Sequence, residues 1–115
     1  MGMRIDSVVT RQRVDDLDAA VAFYEKLTGA PANRFAFAGV SLAAVGPFLL
    51  FSGPDEAVSQ VARVAATLTV ADVSEAVAEA VAAGAEVVAP AVPTPNGHRA
   101  VLRHPHGGVY EYVGS

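Results

Sequence analysis

The chain contains no cysteine, which excludes disulfide bonds, thiolate metal ligands and cysteine nucleophiles. Charge is sparse, at 17% of 115 residues, and the few Lys and Arg are dispersed rather than clustered. Without a basic run there is no electrostatic footprint for nucleic acid, and none is expected as a partner. The opening residues Met1-Gly2-Met3-Arg4-Ile5-Asp6 lack the apolar stretch of a signal peptide, so a cytoplasmic location is the default expectation. Residues 35–54 carry no charge at all, a length that raises the question of a membrane span. Gly39, Gly46 and Pro47 interrupt that stretch and small residues fill much of it. Three short strands joined by tight turns account for it better, and no membrane association is expected.

What the sequence does contain is apolar bulk, 52% of residues, most of it Ala and Val, with a net charge of -4. Val favours strands and Ala favours helices, so a mixed fold is the first expectation. The length suits one compact domain, or two very small modules sharing a core.

The chain also repeats itself. Val14-Asp15-Asp16-Leu17-Asp18-Ala19-Ala20-Val21 runs on to Thr28-Gly29-Ala30, and Val70-Ala71-Asp72-Val73-Ser74-Glu75-Ala76-Val77 runs on to Ala83-Gly84-Ala85. Aligning Asp16 with Asp72 divides the chain close to its midpoint, the signature of a duplicated unit. Each copy reads as a helix. Asp16 and Asp72 are N-cap types. Leu17, Ala20, Val21, Tyr24 and Leu27 recur at helical spacing, as do Val73, Ala76, Val77, Ala80 and Val81. Gly29 and Gly84 stand where a left-handed C-cap belongs.

A strand precedes each helix. Val8, Thr10, Gln12 and Val14 alternate with Ser7, Val9, Arg11 and Arg13; Val64, Ala66, Leu68 and Val70 alternate with Arg63, Ala65, Thr67 and Thr69. The even-numbered sets are the more apolar and are assigned to the helix side, the odd-numbered sets to the other face. Three further strands are expected after each helix, at about 34–38, 40–45 and 48–52, then at about 86–89, 99–104 and 109–113. Gly39, Gly46-Pro47, Pro93 to Gly97 and Pro105 to Gly108 supply turns. The expected division is a first module of about 1–53, a link at about 54–60 centred on Pro54 to Ser59, and a second module of about 61–115.

This doubled β-α-β-β-β pattern resembles the vicinal oxygen chelate superfamily, which includes glyoxalase, bleomycin-resistance and extradiol-dioxygenase proteins. Residues 16–29, DLDAAVAFYEKLTG, are similar to that group's D-L-x-x-A-x-x-F-Y-x-x-L-x-G helix. Residues 104–112, HPHGGVYEY, are similar to its D-P-x-G-x-x-x-E-L ending, with His104 in place of the usual Asp. The resemblance covers almost the whole chain. It implies an α+β fold in which two modules form curved mixed sheets around a cavity, with helices outside. It further implies a homodimer, the cavities built within one chain or shared between two.

Metal-using members of the superfamily carry four ligands, one on the first and one on the last strand of each unit. By that resemblance the positions fall at Val9 (or Ser7 in the alternative register), Leu50, Ala65 and Glu111. Val, Leu and Ala have no lone pair to offer, and Glu111 alone cannot hold a catalytic divalent ion, which takes about three protein ligands. No metal and no other cofactor is expected. His98, His104 and His106 lie in the late turn region; their spacing matches no zinc motif, and turn decoration explains them more simply than a ligand cluster.

By parity, Arg11, Arg13, Arg63, Thr67, Thr69, Phe48, Leu50 and Glu111 are expected on the cavity side, with Phe35 and Phe37 as the aromatics best placed to line a ligand. Arg in a confined site suits a carboxylate, phosphate or enolate; the competing placement has these Arg at the mouth or at a dimer interface, stems packed and heads in water. Two functional classes follow. One is a metal-free binding protein for a small anionic or neutral molecule, since an Arg-lined cavity repels the cationic drugs that bleomycin-resistance proteins bind. The other is a metal-dependent lyase, isomerase or dioxygenase with a shifted ligand set drawn from His98 or His104 with Glu111. A vestigial cavity in an accessory dimer is a third possibility.

Overall fold

A computed structural model describes residues 4–115. The chain divides into two compact units, Val9–Arg63 and Val64–Ser115, the latter joined by the beginning of the first strand up to Val8.

The first unit contains β1 (Ile5–Arg13, from Val9 on), α1 (Leu17–Thr28), β2 (Asn33–Phe37), β3 (Val40–Val45), β4 (Phe48–Ser52) and α2 (Asp55–Ala62). Its strands lie in the order β2-β3-β4-β1. β2, β3 and β4 are antiparallel neighbours and β1 lies parallel to β4. The second unit repeats this plan with β5 (Ala66–Val70), α3 (Val73–Ala82), β6 (Glu86–Thr94), β7 (Gly97–Arg103) and β8 (Val109–Gly114). Its order is β6-β7-β8-β5, antiparallel except for parallel β5 and β8. The mixed α+β architecture and the duplication expected from the repeat are therefore present. The uncharged stretch from Phe35 is β2, β3 and β4, and among the described residues no helix is long and apolar enough to cross a membrane.

Local chemistry explains the helix limits. Asp16 accepts a hydrogen bond from the Ala19 amide at 3.1 Å, and Asp72 one from the Glu75 amide at 3.0 Å. Each satisfies an amide that the first turn leaves without an intrahelical partner. α1 ends on Gly29 at φ 73, the left-handed region open to glycine. α3 ends one residue earlier than expected: Ala83 is its C-cap and Gly84, at φ 112, follows.

Three differences from expectation matter for the site. The link at Pro54 takes the form of helix α2, whose Val58 is buried and packs with Val61 and Ala57 on Val40, Leu42 and Phe51. It has no side-chain cap and only 8 residues, so sequence periodicity barely registers it. Because α2 occupies the chain to Ala62, the following strand begins at Ala66, and Arg63 is a helix C-cap rather than a strand residue. Finally, β6 runs on to Thr94 through Pro90 and Pro93, with register shifts between Val87 and Ala89 and between Ala89 and Val92. It lies at the end of its sheet order, where proline and bulges are tolerated.

The cores follow the faces. α1 sits on Ala43, Val45 and Leu50, while α2 covers the opposite face of the same sheet. In the second unit α3 sits on Leu68, Val70, Ala100, Leu102 and Tyr112.

Candidate functional site

The register of the second unit places its polar chemistry on the face away from α3. Leu68, Ala100, Leu102 and Tyr112 point to the helix, so alternation along each strand sends Thr67, Thr69, Arg99, Val101, Glu111 and Val113 to the other side. Cross-strand pairing sets them in rows: Thr67 beside Glu111 beside Val101, and Thr69 beside Val113 beside Arg99 beside Val92. At the centre is Glu111, whose side chain is only 14% exposed. One carboxylate oxygen accepts from the Thr67 hydroxyl at 2.8 Å. The other accepts from Nε of Arg99, forming a close ion pair. A carboxylate removed from water needs such partners, because leaving it bare costs several kcal/mol, on the order of the effective penalty for one ion.

Thr67, Thr69 and Glu111 thus occupy the face that parity assigns them. Arg99 was not among the expected site residues. Its position follows from the β7–β8 hairpin: with Arg103 opposite Val109, Arg99 falls opposite Val113 on the Glu111 face. Only the turn register of the hairpin reveals this.

In the first unit, Arg11 and Arg13 share a face with Leu49, Phe51, Leu42, Phe35 and Phe37, opposite α1. Arg11 donates to the Val61 carbonyl at 3.2 Å, and Arg13 pairs with Asp55 at 2.6 Å. Both bonds run to α2. Phe35 and Phe37 are exposed, at 46% and 70%.

Phe48 and Leu50 belong to the other side. Leu50 is fully buried against α1, and the Phe48 ring packs on Tyr24 with centroids 4.6 Å apart. The reason is a slip of one residue: in the parallel pairing of β1 with β4, Arg11 lies beside Leu49, just as Thr67 lies beside Glu111. A slip of one exchanges the faces of a whole strand. Leu49, not Leu50, is therefore the counterpart of Glu111. Arg63, at the end of α2, donates to Gln60 at 3.2 Å and lies on no sheet face.

The histidines do not converge on Glu111. His104 points to the α3 side, with Nε2 2.7 Å from the Tyr112 hydroxyl and its ring stacked on Tyr110 at 4.2 Å and 17°. Burial holds its imidazole below the usual pKa. Burial, and secondarily the neighbouring Tyr110, push the Tyr112 phenol up. His98 has the parity of Ala100 and Leu102, which face α3, and His106 lies in the exposed turn that follows β7. Among the described residues no group of three His, Asp or Glu could hold a metal ion. Val9, Leu49 and Ala65, at or beside the positions that the superfamily resemblance assigns to metal ligands, carry only hydrocarbon side chains.

A separate open depression of about 780 Å³ lies in the first unit, lined by Asp15, Asp16 and Asp18 at the start of α1 and by Arg34, Ser41 and Ser52. Arg34 pairs with Asp18 across it at 2.7 Å.

Comparison with known proteins places this fold. The glyoxalase-like domain family matches residues 7–113. The chain belongs to that family, within the vicinal oxygen chelate superfamily. A protein from Methanosarcina mazei, described only as uncharacterized, is 34% identical over 97% of this chain and 94% of its own, with a TM-score of 0.85. Methylmalonyl-CoA epimerase from Mycobacterium tuberculosis is 18% identical over 96% of this chain and 88% of that one, at a TM-score of 0.65. The Streptomyces coelicolor methylmalonyl-CoA epimerase, in complex with 2-nitronate-propionyl-CoA, is 23% identical over 100% of this chain and 96% of that one, at 0.66. Both epimerases bear on the fold alone. No curated protein matches the chain.

Proposed function

We propose that this glyoxalase-like protein binds a small anionic or neutral molecule without a metal ion. The observation that carries the reading is the state of Glu111. The carboxylate at the last-strand ligand position is already neutralised by Arg99 and hydrogen-bonded by Thr67. A divalent ion would have to displace the guanidinium and then find its remaining donors among aliphatic side chains, against the usual need for about three protein ligands. A binding protein needs only a shaped, largely apolar surface with a few polar anchors. In the second unit the sheet face away from α3 supplies the polar anchors, Thr67, Glu111 and Arg99, beside the apolar Val101 and Val113. The Arg99 guanidinium on that face disfavours a cationic ligand beside it.

The epimerase relatives are described with methylmalonyl-CoA and a nitronate-bearing acyl-CoA bound. Acyl-CoA thioesters therefore belong in the ligand screen beside simple carboxylates. The test is paired: elemental analysis of gently purified protein, and calorimetric titration of each hit with and without EDTA. Substoichiometric metal and EDTA-insensitive binding are expected. A stoichiometric transition metal, or binding abolished by chelation and restored by the ion, would overturn the reading.

Homodimerisation is part of the same proposal. Phe35 and Phe37 stand exposed on β2, at the end of its sheet order, a placement that invites a partner. Sedimentation equilibrium of the wild type should give twice the chain mass, and Phe37→Asp should weaken the association; a wild-type monomer at micromolar concentration would refute it.

A further inference from the structure

We infer that Arg99 is an anion anchor, and that the ligand it takes is a small carboxylate with an aliphatic body. This deepens the metal-free reading by naming a ligand class and a place.

The arginines use their nitrogens in different ways. Arg13, Arg34, Arg63 and Arg103 each commit a terminal nitrogen, to Asp55, Asp18, Gln60 and Glu86 respectively. Arg99 is held differently. Its Nε is bonded to Glu111, and among the described residues its two terminal nitrogens make no hydrogen bond. Arg4 also forms an ion pair through Nε, with Asp6, but its side chain is 90% exposed. Arg99 is 42% exposed and has a fixed base, because Glu111 is itself fixed by Thr67. The series Thr67 to Glu111 to Arg99 orients the guanidinium during folding, so the ordering of that side chain is not charged to ligand binding. The end-on pair of terminal N–H groups has no partner among the described residues, and its planar spacing matches the two oxygens of a carboxylate.

The surroundings select the rest of the ligand. Val113 and Val92 flank Arg99 on the neighbouring strands, close enough for direct side-chain contact in a sheet. Val92 is 45% exposed and Val113 half-buried, and Thr69 lies beyond Val113 in the same row. A carboxylate on the guanidinium would lay an attached alkyl chain along this apolar ledge. Local charge agrees: the bound carboxylate sits within hydrogen-bond reach of the guanidinium and farther from Glu111, so attraction exceeds repulsion.

The experiment is NMR titration of ¹⁵N-labelled protein at constant ionic strength with acetate, butanoate and hexanoate, and with hexanamide as the neutral isostere. Expected are shifts centred on Arg99, Val113 and Val92, an affinity rising about three- to fourfold per methylene in contact, and hexanamide at least about tenfold weaker than hexanoate. Arg99→Lys keeps a cation beside Glu111 but lacks the planar fork; it should retain the wild-type melting temperature within a few degrees and lose about tenfold in hexanoate affinity. The double variant Arg99→Gln with Glu111→Gln, which leaves no unpaired charge, should abolish binding while remaining folded. Equal affinity for hexanoate and hexanamide, or wild-type hexanoate binding in both variants, would overturn the assignment. EDTA-insensitive binding that ignores Arg99 would sink this site and leave the metal-independent reading standing.

Discussion

Lowering the pH through the histidine range should weaken this fold by a route that passes through His104. Its Nε2 lies 2.7 Å from the hydroxyl of Tyr112, which is 1% exposed, and its ring stacks on Tyr110. Burial depresses the imidazole pKa, so the folded state favours the neutral ring. The sign follows from proton counting. Between the folded pKa and the ordinary value near 6.5, the unfolded chain binds more protons than the folded one. Stability attributable to this site is therefore full above about pH 6.5, falls as the pH drops towards the depressed folded value, and then levels. With a neutral ring whose Nε2 is unprotonated, the Tyr112 hydroxyl donates to it. Tyr112→Phe removes that bond at a cost of about 0.5–1.5 kcal/mol. His104→Ala removes the bond and the ring stack together, and the stack adds about 0.5–1.5 kcal/mol. Urea denaturation at pH 7.5 and 5.5 of wild type, both single variants and the double variant measures all of this. The wild type should lose more stability between the two pH values than His104→Ala does, and the double-mutant cycle at pH 7.5 should return a coupling of about 1 kcal/mol. An identical pH dependence in wild type and His104→Ala would refute the reasoning.

Further outcomes test the register and the packing. Leu50→Ala should cost about 2–5 kcal/mol in denaturant unfolding, because Leu50 is completely buried under α1; half-buried Leu49→Ala should cost clearly less, and the reverse ranking would mean the strand faces are exchanged. Asp72→Ala removes the acceptor for the Glu75 amide and should cost about 1 kcal/mol in thermal or chemical unfolding. Gly114→Ala should disrupt the pairing of β5 with β8 severely, since a Cβ there would collide with the Val70 carbonyl oxygen; a variant melting like the wild type would show that β5 and β8 do not run this close.

The sequence carries the architecture better than it carries the site, and the residues show why. Asp16, Asp72 and Gly29 mark helix ends through their own local hydrogen bonds and dihedral angles, and such signals need no knowledge of tertiary contacts. The duplication reinforces them, because each copy checks the other. α2 lacks these markers: its turn after Pro54 has no side-chain cap, and its three apolar contacts become meaningful only against Val40 and Phe51. The extent of β6 is hidden by Pro90 and Pro93, which read as breakers until the strand is known to lie at a sheet edge. Faces fare well within one strand and poorly between strands. Arg11, Arg13, Thr67 and Thr69 keep the sides that alternation gives them, whereas Phe48 and Leu50 change sides because inter-strand register is set by turns and pairing rather than by period. Arg99 is invisible for the same reason, since its partner lies on another strand and meets it only through the hairpin.

That one-residue slip bears on the chemistry in an instructive way. Moving the strand-four position from Leu50 to Leu49 exchanges one hydrocarbon for another and brings no metal donor. The arginines differ more between the two units. In the first unit, α2 lies on the face that carries Arg11 and Arg13, and both side chains bond to it, through the Val61 carbonyl and Asp55. In the second unit the corresponding face has Arg99 bonded to a residue of its own sheet. The two copies of one fold thus spend their guanidinium groups differently: one set bonds to a helix, while Arg99 bonds through Nε and its terminal nitrogens have no hydrogen bond among the described residues. Charge on a strand face is therefore not enough to predict a ligand site, since an arginine whose terminal nitrogens already have protein acceptors has less to offer an incoming anion. Exchanging Asp55 for Ala is the informative perturbation: it removes the Arg13 partner without touching the second sheet. Because exposed ion pairs contribute little, stability should change by less than about 1 kcal/mol. Hexanoate affinity at Arg99 should stay at the wild-type value, and a marked change in that affinity would mean that the arginines of the first unit take part in binding the anion.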